Sequence, residues 1–234
     1  AAGIAIAKLL MSVGIQDIIF CDSRGAIYQG RAEGMNPIKE SMAEVTNQGQ
    51  VKSGLAEAMA GSNVFIGVSV ANLVTEDMVR SMATEPVVFA LANPEPEIMP
   101  DLAQNAGALV VATGRSDFKN QVNNSLAFPG IFRGALDVRA KTITDEMCYA
   151  AAEALANHIG DRLDEEHILP NMDDWEVFSR EAAAVGVKAQ EQGVARIEKT
   201  YDELFEHATQ IIGRSRRLTK MMMDEGFIAE APED

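Results

Sequence analysis

Four short apolar segments, separated by helical or turn sequence, constrain the fold of this chain most strongly. They cover residues 17–21, 64–68, 87–91 and 108–112. Short continuous apolar segments are typical of strands buried on both faces, as in a parallel sheet covered by helices. The pattern therefore predicts an α/β fold with a doubly wound, Rossmann-like parallel sheet and a helical extension at its C-terminal end.

Helix-start signals lie between and after these segments. A Ser, Thr or Asn ahead of a helical pattern accepts hydrogen bonds from the first free N–H groups of the helix. We expect such caps at Asn36, Ser53, Thr75 and Thr144. Longer helices are predicted over 145–158, 174–190 and 201–223. We therefore expect a dinucleotide-binding domain over 1–160 and a helical extension over 161–234.

The first 22 residues have the pattern of the second half of a dinucleotide-binding βαβ unit. A helix of small residues that includes Gly3 is followed by a turn and an apolar segment that ends at Asp22. Asp22 lies 19 positions after Gly3 (22 − 3), close to the spacing between the glycine motif and the acid that binds the ribose. The preceding strand and two earlier glycines are absent. We therefore expect a domain that is truncated on its N-terminal side.

Charge and composition exclude several classes of protein. The net charge of −15 repels phosphate backbones and anionic membranes, so neither nucleic acid nor membrane is an expected partner. No apolar segment approaches the roughly 20 residues that span a bilayer. Cys21 and Cys148 are too few for a disulfide framework. Two buried, reduced thiols are expected, and with them a cytoplasmic location.

Ligands of open parallel sheets bind beyond the carboxyl ends of the strands. The segments that follow the apolar runs are rich in neutral amides and hydroxyls, which suit a ligand with ribose hydroxyls and a carboxamide. Asn93 precedes a proline, so its backbone is expected to be extended and its side chain can face the cleft. The alternative is an Asx-turn. For Asn123 and Asn124 the alternative is a cap on the following helix.

Long ordered strings of the sequence resemble the malic enzymes. They are Gly-Arg-Ser-Asp-Phe-x-Asn-Gln-Val-Asn-Asn at 114–124, Phe-Pro-Gly-Ile-Phe-Arg-Gly-Ala-Leu-Asp at 128–137, Phe-Ile-Gly-Val-Ser at 65–69, Phe-Ala-Leu-Ala-Asn-Pro at 89–94, and Gly-x-Ile-Tyr-x-Gly-Arg at 25–31. The resemblance extends from residue 1 to about residue 158. The helical tail after about residue 160 matches only loosely.

The resemblance implies oxidative decarboxylation of malate to pyruvate and CO2, with a nicotinamide cofactor and Mg²⁺ or Mn²⁺. Carried over residue by residue, it assigns ligand contacts to a few positions. Those expected to bind the cofactor are Gly3, Asp22, Ser23, Val68, Ser69, Asn93 and Asn124, and those expected to bind the substrate are Asn93 and Asn123.

Cofactor choice depends on the residues around Asp22. Its carboxylate can accept both ribose hydroxyls of NAD and would repel the 2′-phosphate of NADP. Ser23 and Arg24 could instead bind that phosphate. We weigh the repulsion more heavily and expect NAD, with NADP as the alternative.

The family's acid, base and metal-binding carboxylates all precede the first residue of this chain, and nothing in it replaces them. Its three histidines lack ligand spacing. We therefore expect no catalytic or metal-binding residue here, metal bound mainly by the missing N-terminal portion, and no turnover by this chain alone. A homo-oligomer, a dimer or larger, is expected.

Two other readings remain. One is a different two-domain dehydrogenase, against which the Asn-Asn-x-x-x-Phe-Pro-Gly string argues. The other is a non-catalytic dinucleotide-binding or assembly module, which a complete glycine loop would have favoured.

Overall fold

The chain folds into two compact units. The computed structural model describes residues 2–229. The first unit consists of Ala1–Val122 with Asp164–His167, and the second of Asn123–Leu163 with Ile168–Asp234. The expected boundary at residue 160, between a dinucleotide-binding domain and a helical extension, stays a prediction.

The first unit alternates helices and strands. Its helices are α1 (Ala2–Ser12), α2 (Pro37–Val45), α3 (Leu55–Met59), α4 (Glu76–Arg80) and α5 (Pro100–Asn105). Its strands are β1 (Cys21–Asp22), β2 (Gly25–Ala26), β3 (Val64–Gly67), β4 (Val87–Ala90) and β5 (Val110–Thr113).

A parallel sheet of β3, β4 and β5, in that order, is the centre of this unit. One side of its core is formed by Val88, Ala90 and Val111, which pack with buried residues of the flanking helices such as Val79 and Ala103. The predicted α/β fold with a parallel sheet is confirmed, and so are three of its four expected strands.

The expected strand over 17–21 is wrong in its pairing. Residues 15–20 form no ladder, and Cys21–Asp22 instead pairs antiparallel with Gly25–Ala26. The carbonyls of Ile18 and Phe20 accept hydrogen bonds from the amides of Asn47 and Ile27. A parallel strand needs a neighbouring strand for these groups, and among the described residues loops take that place.

Most of the expected helix caps are present. The side chains of Asn36, Thr75 and Thr144 each accept a hydrogen bond from the third residue beyond them. Ser53 is an exception, because α3 begins one residue later with Gly54 at its cap. The Ser53 carbonyl instead accepts from the amide of Ala26, which ties this loop to β2.

The described part of the second unit is built of helices, apart from loops. They are α6 (Phe128–Asp137), α7 (Asp145–Ile159), α8 (Glu176–Glu191) and α9 (Tyr201–Asp224), with short 3₁₀ turns at Asn124–Leu126 and Gly160–Arg162. Its main core includes Val138, Met147, Ala183 and Leu204. None of the helices described is long and apolar enough to cross a membrane. Cys21 and Cys148 are free and half-buried rather than buried.

Candidate functional site

The carboxyl ends of the three parallel strands lie in one row. Gly67 pairs with Ala90, and Ala90 pairs with Thr113, so the last residues of β3, β4 and β5 are neighbours across the sheet. The segments that follow these strands therefore leave the same edge of the sheet. The edge brings Val68 and Ser69 near the segment that contains Asn93.

Val68 and Ser69 are both exposed at the end of β3. The first turn of α1 approaches Val68: a Cβ added at Gly3 would lie 3.7 Å from Cγ2 of Val68 and 3.9 Å from Cε1 of Phe20. These are ordinary contact distances, so Gly3 places helix and strand close together without being the only residue that fits there.

Asn93 presents a free amide. Its side chain is exposed and makes no hydrogen bond to any of residues 2–229, so it does not form the Asx-turn that was the alternative. The peptide bond to Pro94 is cis. An exposed amide at a strand end can both donate to and accept from a bound ligand.

Asp22 is held in a small charged cluster. Its Oδ2 accepts hydrogen bonds from Nη2 of Arg31 and from Nζ of Lys39, each at 2.6 Å. Its Oδ1 accepts from the amide of Arg24 at 2.9 Å, across the turn that also contains the exposed Ser23. Partial burial opposes the charged form, but these bonds outweigh it and hold the pKa of Asp22 well below its usual range.

The two cations beside Asp22 were not anticipated from the sequence. Arg31 lies in the Gly-Arg pair of the string at 25–31, which carried no assigned role, and Lys39 is 17 residues from Asp22. Only the fold brings them together. The expectation of NAD was based on repulsion between the carboxylate of Asp22 and a 2′-phosphate. The positive charges of Arg31 and Lys39 weaken that repulsion.

Glu97 is a second residue that sequence reasoning missed. It is 0% exposed and lies in the segment that follows β4. Oε1 accepts from the amide of Ser69 at 2.8 Å, and Oε2 accepts from the amide of Ala92 at 3.0 Å. Nothing in the local sequence sets this glutamate apart, except that it stands between the buried residues Pro96 and Ile98.

Asn123 and Asn124 belong to the second unit and are both exposed. Oδ1 of Asn123 accepts from the amide of Ser125 at 3.0 Å and from its hydroxyl at 2.6 Å. Asn123 thus caps the 3₁₀ turn, as the alternative foresaw. The side chain of Asn124 makes no hydrogen bond within the described range.

Within residues 2–229, no group of three or more His, Cys, Asp or Glu side chains is placed to hold a metal ion. Each histidine is instead close to one carboxylate, such as His158 to Asp174 and His167 to Asp164. The described residues do not fit a metal centre of their own.

Comparison with known proteins places this geometry in a family. A family profile described as "Malic enzyme, NAD binding domain" matches residues 9–191, well over half of the chain. The chain is 53% identical over 220 residues to a bifunctional malic/malolactic enzyme of Bacillus subtilis. The matched region covers 94% of this chain and 52% of that protein. It is 46% identical over 197 residues to an NAD-dependent malic enzyme of Geobacillus stearothermophilus, with coverage of 84% and 41%.

Solved structures give the same result. The malic enzyme of Entamoeba histolytica superposes with a TM-score of 0.92 at 38% identity, over 97% of this chain and 48% of that one. The Pyrococcus horikoshii malic enzyme superposes with a TM-score of 0.86 at 35% identity, over 94% and 52%. The chain spans about half the length of these relatives. It belongs to the malic enzyme family and corresponds to the NAD-binding domain of that family.

Proposed function

We propose that this chain is the cofactor-binding part of an enzyme that oxidises malate and releases CO2 to leave pyruvate. The observation that carries the proposal is the shared edge of β3, β4 and β5, where Ser69 and the free amide of Asn93 are presented together. Ribose hydroxyls and a carboxamide are the groups that such side chains bind. The bound dinucleotide would supply the hydride acceptor.

The proposed roles of individual residues rest on the resemblance to the malic enzymes. Val68 and Ser69 would line the ribose and nicotinamide of the cofactor, and Asn93 would contact the nicotinamide ribose and malate. Asp22 would bind the adenosine ribose, Ser23 would also contact the cofactor, and Gly3 would allow α1 to approach it. Asn123 would bind the substrate and Asn124 the cofactor.

The acid, the base and the ligands of Mg²⁺ or Mn²⁺ would come from a portion of the enzyme outside this chain. This chain alone is therefore proposed to be inactive with malate. A homo-oligomer and a cytoplasmic location stay predictions of the sequence analysis.

We further propose NAD as the cofactor. Malic enzymes named for NAD and for NADP are both among the relatives, for instance those of Geobacillus stearothermophilus and Rhizobium meliloti. The choice therefore rests on the cluster around Asp22. Oδ1 of its carboxylate accepts only from the amide of Arg24 and can still accept from one ribose hydroxyl, whereas a 2′-phosphate would meet the negative charge. Arg31 and Lys39 reduce that repulsion but are themselves occupied by Asp22.

The test is a steady-state assay of the full-length enzyme with malate, Mn²⁺ and either NAD or NADP, with pyruvate measured as product. The expected result is turnover with a higher kcat/KM for NAD. Lys39→Ala leaves the charge of Asp22 less compensated, so kcat/KM for NADP should fall more than that for NAD. No pyruvate from the full-length enzyme would refute the activity, and a wild-type preference for NADP would refute the choice of cofactor.

A further inference from the structure

Glu97 joins two neighbouring strand ends with one carboxyl group. One oxygen accepts from the amide of Ser69, after β3, and the other from the amide of Ala92, after β4. The side chain is fully buried, so it touches no ligand at the surface. Its two bonds fix the distance between the backbones on which the side chains of Ser69 and Asn93 stand.

Gly67 makes room for this carboxyl. A Cβ added to Gly67 would lie 2.4 Å from Cδ and 2.5 Å from Oε1 of Glu97, which is closer than any real contact. Gly67 is the last residue of β3. The carboxyl therefore packs directly on the backbone of the strand end, and any larger residue there would displace it.

The backbone around Glu97 is fastened to the same segment after β3. The carbonyl of Pro96 accepts from the amide of Asn72 at 3.0 Å, and that of Glu97 accepts from the amide of Val74 at 2.9 Å. The acid thus cannot shift without moving both segments. Together these contacts tie the ends of β3 and β4 to each other.

We propose that Glu97 is a positioning residue that sets the placement of Asn93 relative to Ser69, and through it the placement of the nicotinamide end of the cofactor. The inference rests on the proposed function of the site. Ala92 immediately precedes Asn93, so the bond to its amide fixes where the Asn93 side chain begins. A carboxylate is suited to this task because both its oxygens accept and neither donates.

Substitution by glutamine tests the bond without changing the volume of the side chain. Its NH2 group would face one of the two N–H donors, so one strand end would be released. In the full-length enzyme, Glu97→Gln is expected to lower kcat for malate oxidation by about tenfold to a hundredfold, because small misplacements of reacting groups cost that much. Glu85→Gln, which removes the same charge from an exposed residue ahead of β4, should keep kcat within about twofold.

An effect on folding is distinguished from an effect on the placement of Asn93 by measuring kcat per folded enzyme. The measurement is made well below the melting temperature of each variant. Gly67→Ala perturbs the same contact from the opposite side and replaces Glu97→Gln if that variant does not fold. The expected result is a similar loss of kcat in each single variant and little further loss in the double variant, because both break one contact.

A wild-type kcat in Glu97→Gln, or a lowered melting temperature with unchanged kcat per folded enzyme, would overturn the proposal. The proposal would also be overturned if the losses of kcat from Glu97→Gln and Gly67→Ala multiplied in the double variant. A wild-type enzyme that does not oxidise malate would refute the proposed function instead, so the two failures are distinguishable.

Discussion

Arg31 donates a hydrogen bond from Nη2 to Oδ2 of Asp22 over 2.6 Å. The same guanidinium donates to the carbonyls of Ala26 at 3.0 Å, Gly25 at 3.2 Å and Glu33 at 2.9 Å. Its side chain is only 6% exposed. One arginine therefore closes the β1–β2 hairpin and orients the acid at its end.

Replacing this arginine by lysine should destabilise the chain. An ammonium group cannot reproduce the planar fork, so Arg31→Lys loses several carbonyl bonds. The expected loss is about 2–3 kcal/mol in the free energy of unfolding, at about 1 kcal/mol for each bond. Urea denaturation followed by circular dichroism measures it. Arg24→Lys, whose side chain is exposed, is the control, and an equal loss in both variants would contradict the account.

The lowered pKa of Asp22 predicts an acid-dependent loss of stability. Partial burial opposes ionisation, but the bonds from Arg31, Lys39 and the Arg24 amide hold its pKa below the ordinary 3.8. An acid with a lowered pKa contributes stability above its unfolded pKa and loses it as the pH falls towards its folded pKa.

The free energy of unfolding should therefore decrease as the pH falls below about 4, where the unfolded acid gains its proton first. Asp22→Asn should be less stable than the wild type at pH 7 and should show a flatter acid limb. Urea titrations at several pH values between 3 and 7 check this. Parallel curves for the two proteins would argue against a role for Asp22.

Asn93 and Asn123 are expected to respond differently to alanine. Asn93 makes no hydrogen bond to the described residues, so Asn93→Ala should leave the melting temperature nearly unchanged while kcat/KM of the full-length enzyme falls. Asn123 caps a 3₁₀ turn through the amide of Ser125, so Asn123→Ala should also cost about 1 kcal/mol of stability. Unfolding of the Asn93 variant would show that this residue serves the fold.

Glu181 predicts the opposite pH dependence in the second unit. It is buried on α8 against Gly130, and neither carboxyl oxygen has a hydrogen-bond partner among the described residues. Burial raises its pKa from 4.5 to about 9. An acid with a raised pKa contributes stability below its unfolded pKa and loses it as the pH rises through the folded pKa.

The second unit should accordingly become less stable between pH 4.5 and about 9, by at most about 1.4 kcal/mol for each pH unit. Glu181→Gln should match the wild type near pH 5 and exceed it near pH 9. The exposed Glu206→Gln serves as control. If the stability of Glu181→Gln depended on pH as that of the wild type does, Glu181 would not be the cause of the loss.

The sequence predicted the elements that local pattern determines. Strands β3, β4 and β5 are short apolar runs, and the caps at Asn36, Thr75 and Thr144 are single-residue signals. The segment 17–21 has the same apolar character but has no parallel neighbour among the described residues, and only Cys21 pairs, antiparallel with Ala26. Its pairing could not be predicted from composition. Helix α6 contains Gly130 and Gly134, which disfavour a helix locally. Both are required by close packing on α8, where a Cβ at Gly134 would lie 2.4 Å from the carbonyl oxygen of Ala182.

Only those residues of the candidate site that directly follow a strand could be predicted from the sequence. Ser69 and Asn93 could be named because ligands bind beyond the carboxyl ends of parallel strands. Glu97 could not, because its role depends on the amide of Ser69, 28 residues away. The cations around Asp22 were missed for the same reason. Contacts of this kind exist only after the sheet and its loops have formed.

Hydrogen exchange of the full-length enzyme with and without NADH tests the central claim most directly, because it shows where the dinucleotide covers the chain. The account predicts slower amide exchange in peptides that contain residues 22–24, 68–72 and 92–95. A peptide from the middle of α7 should be unchanged. Bound NADH, shown by its fluorescence, with no protection at these three segments would contradict the account.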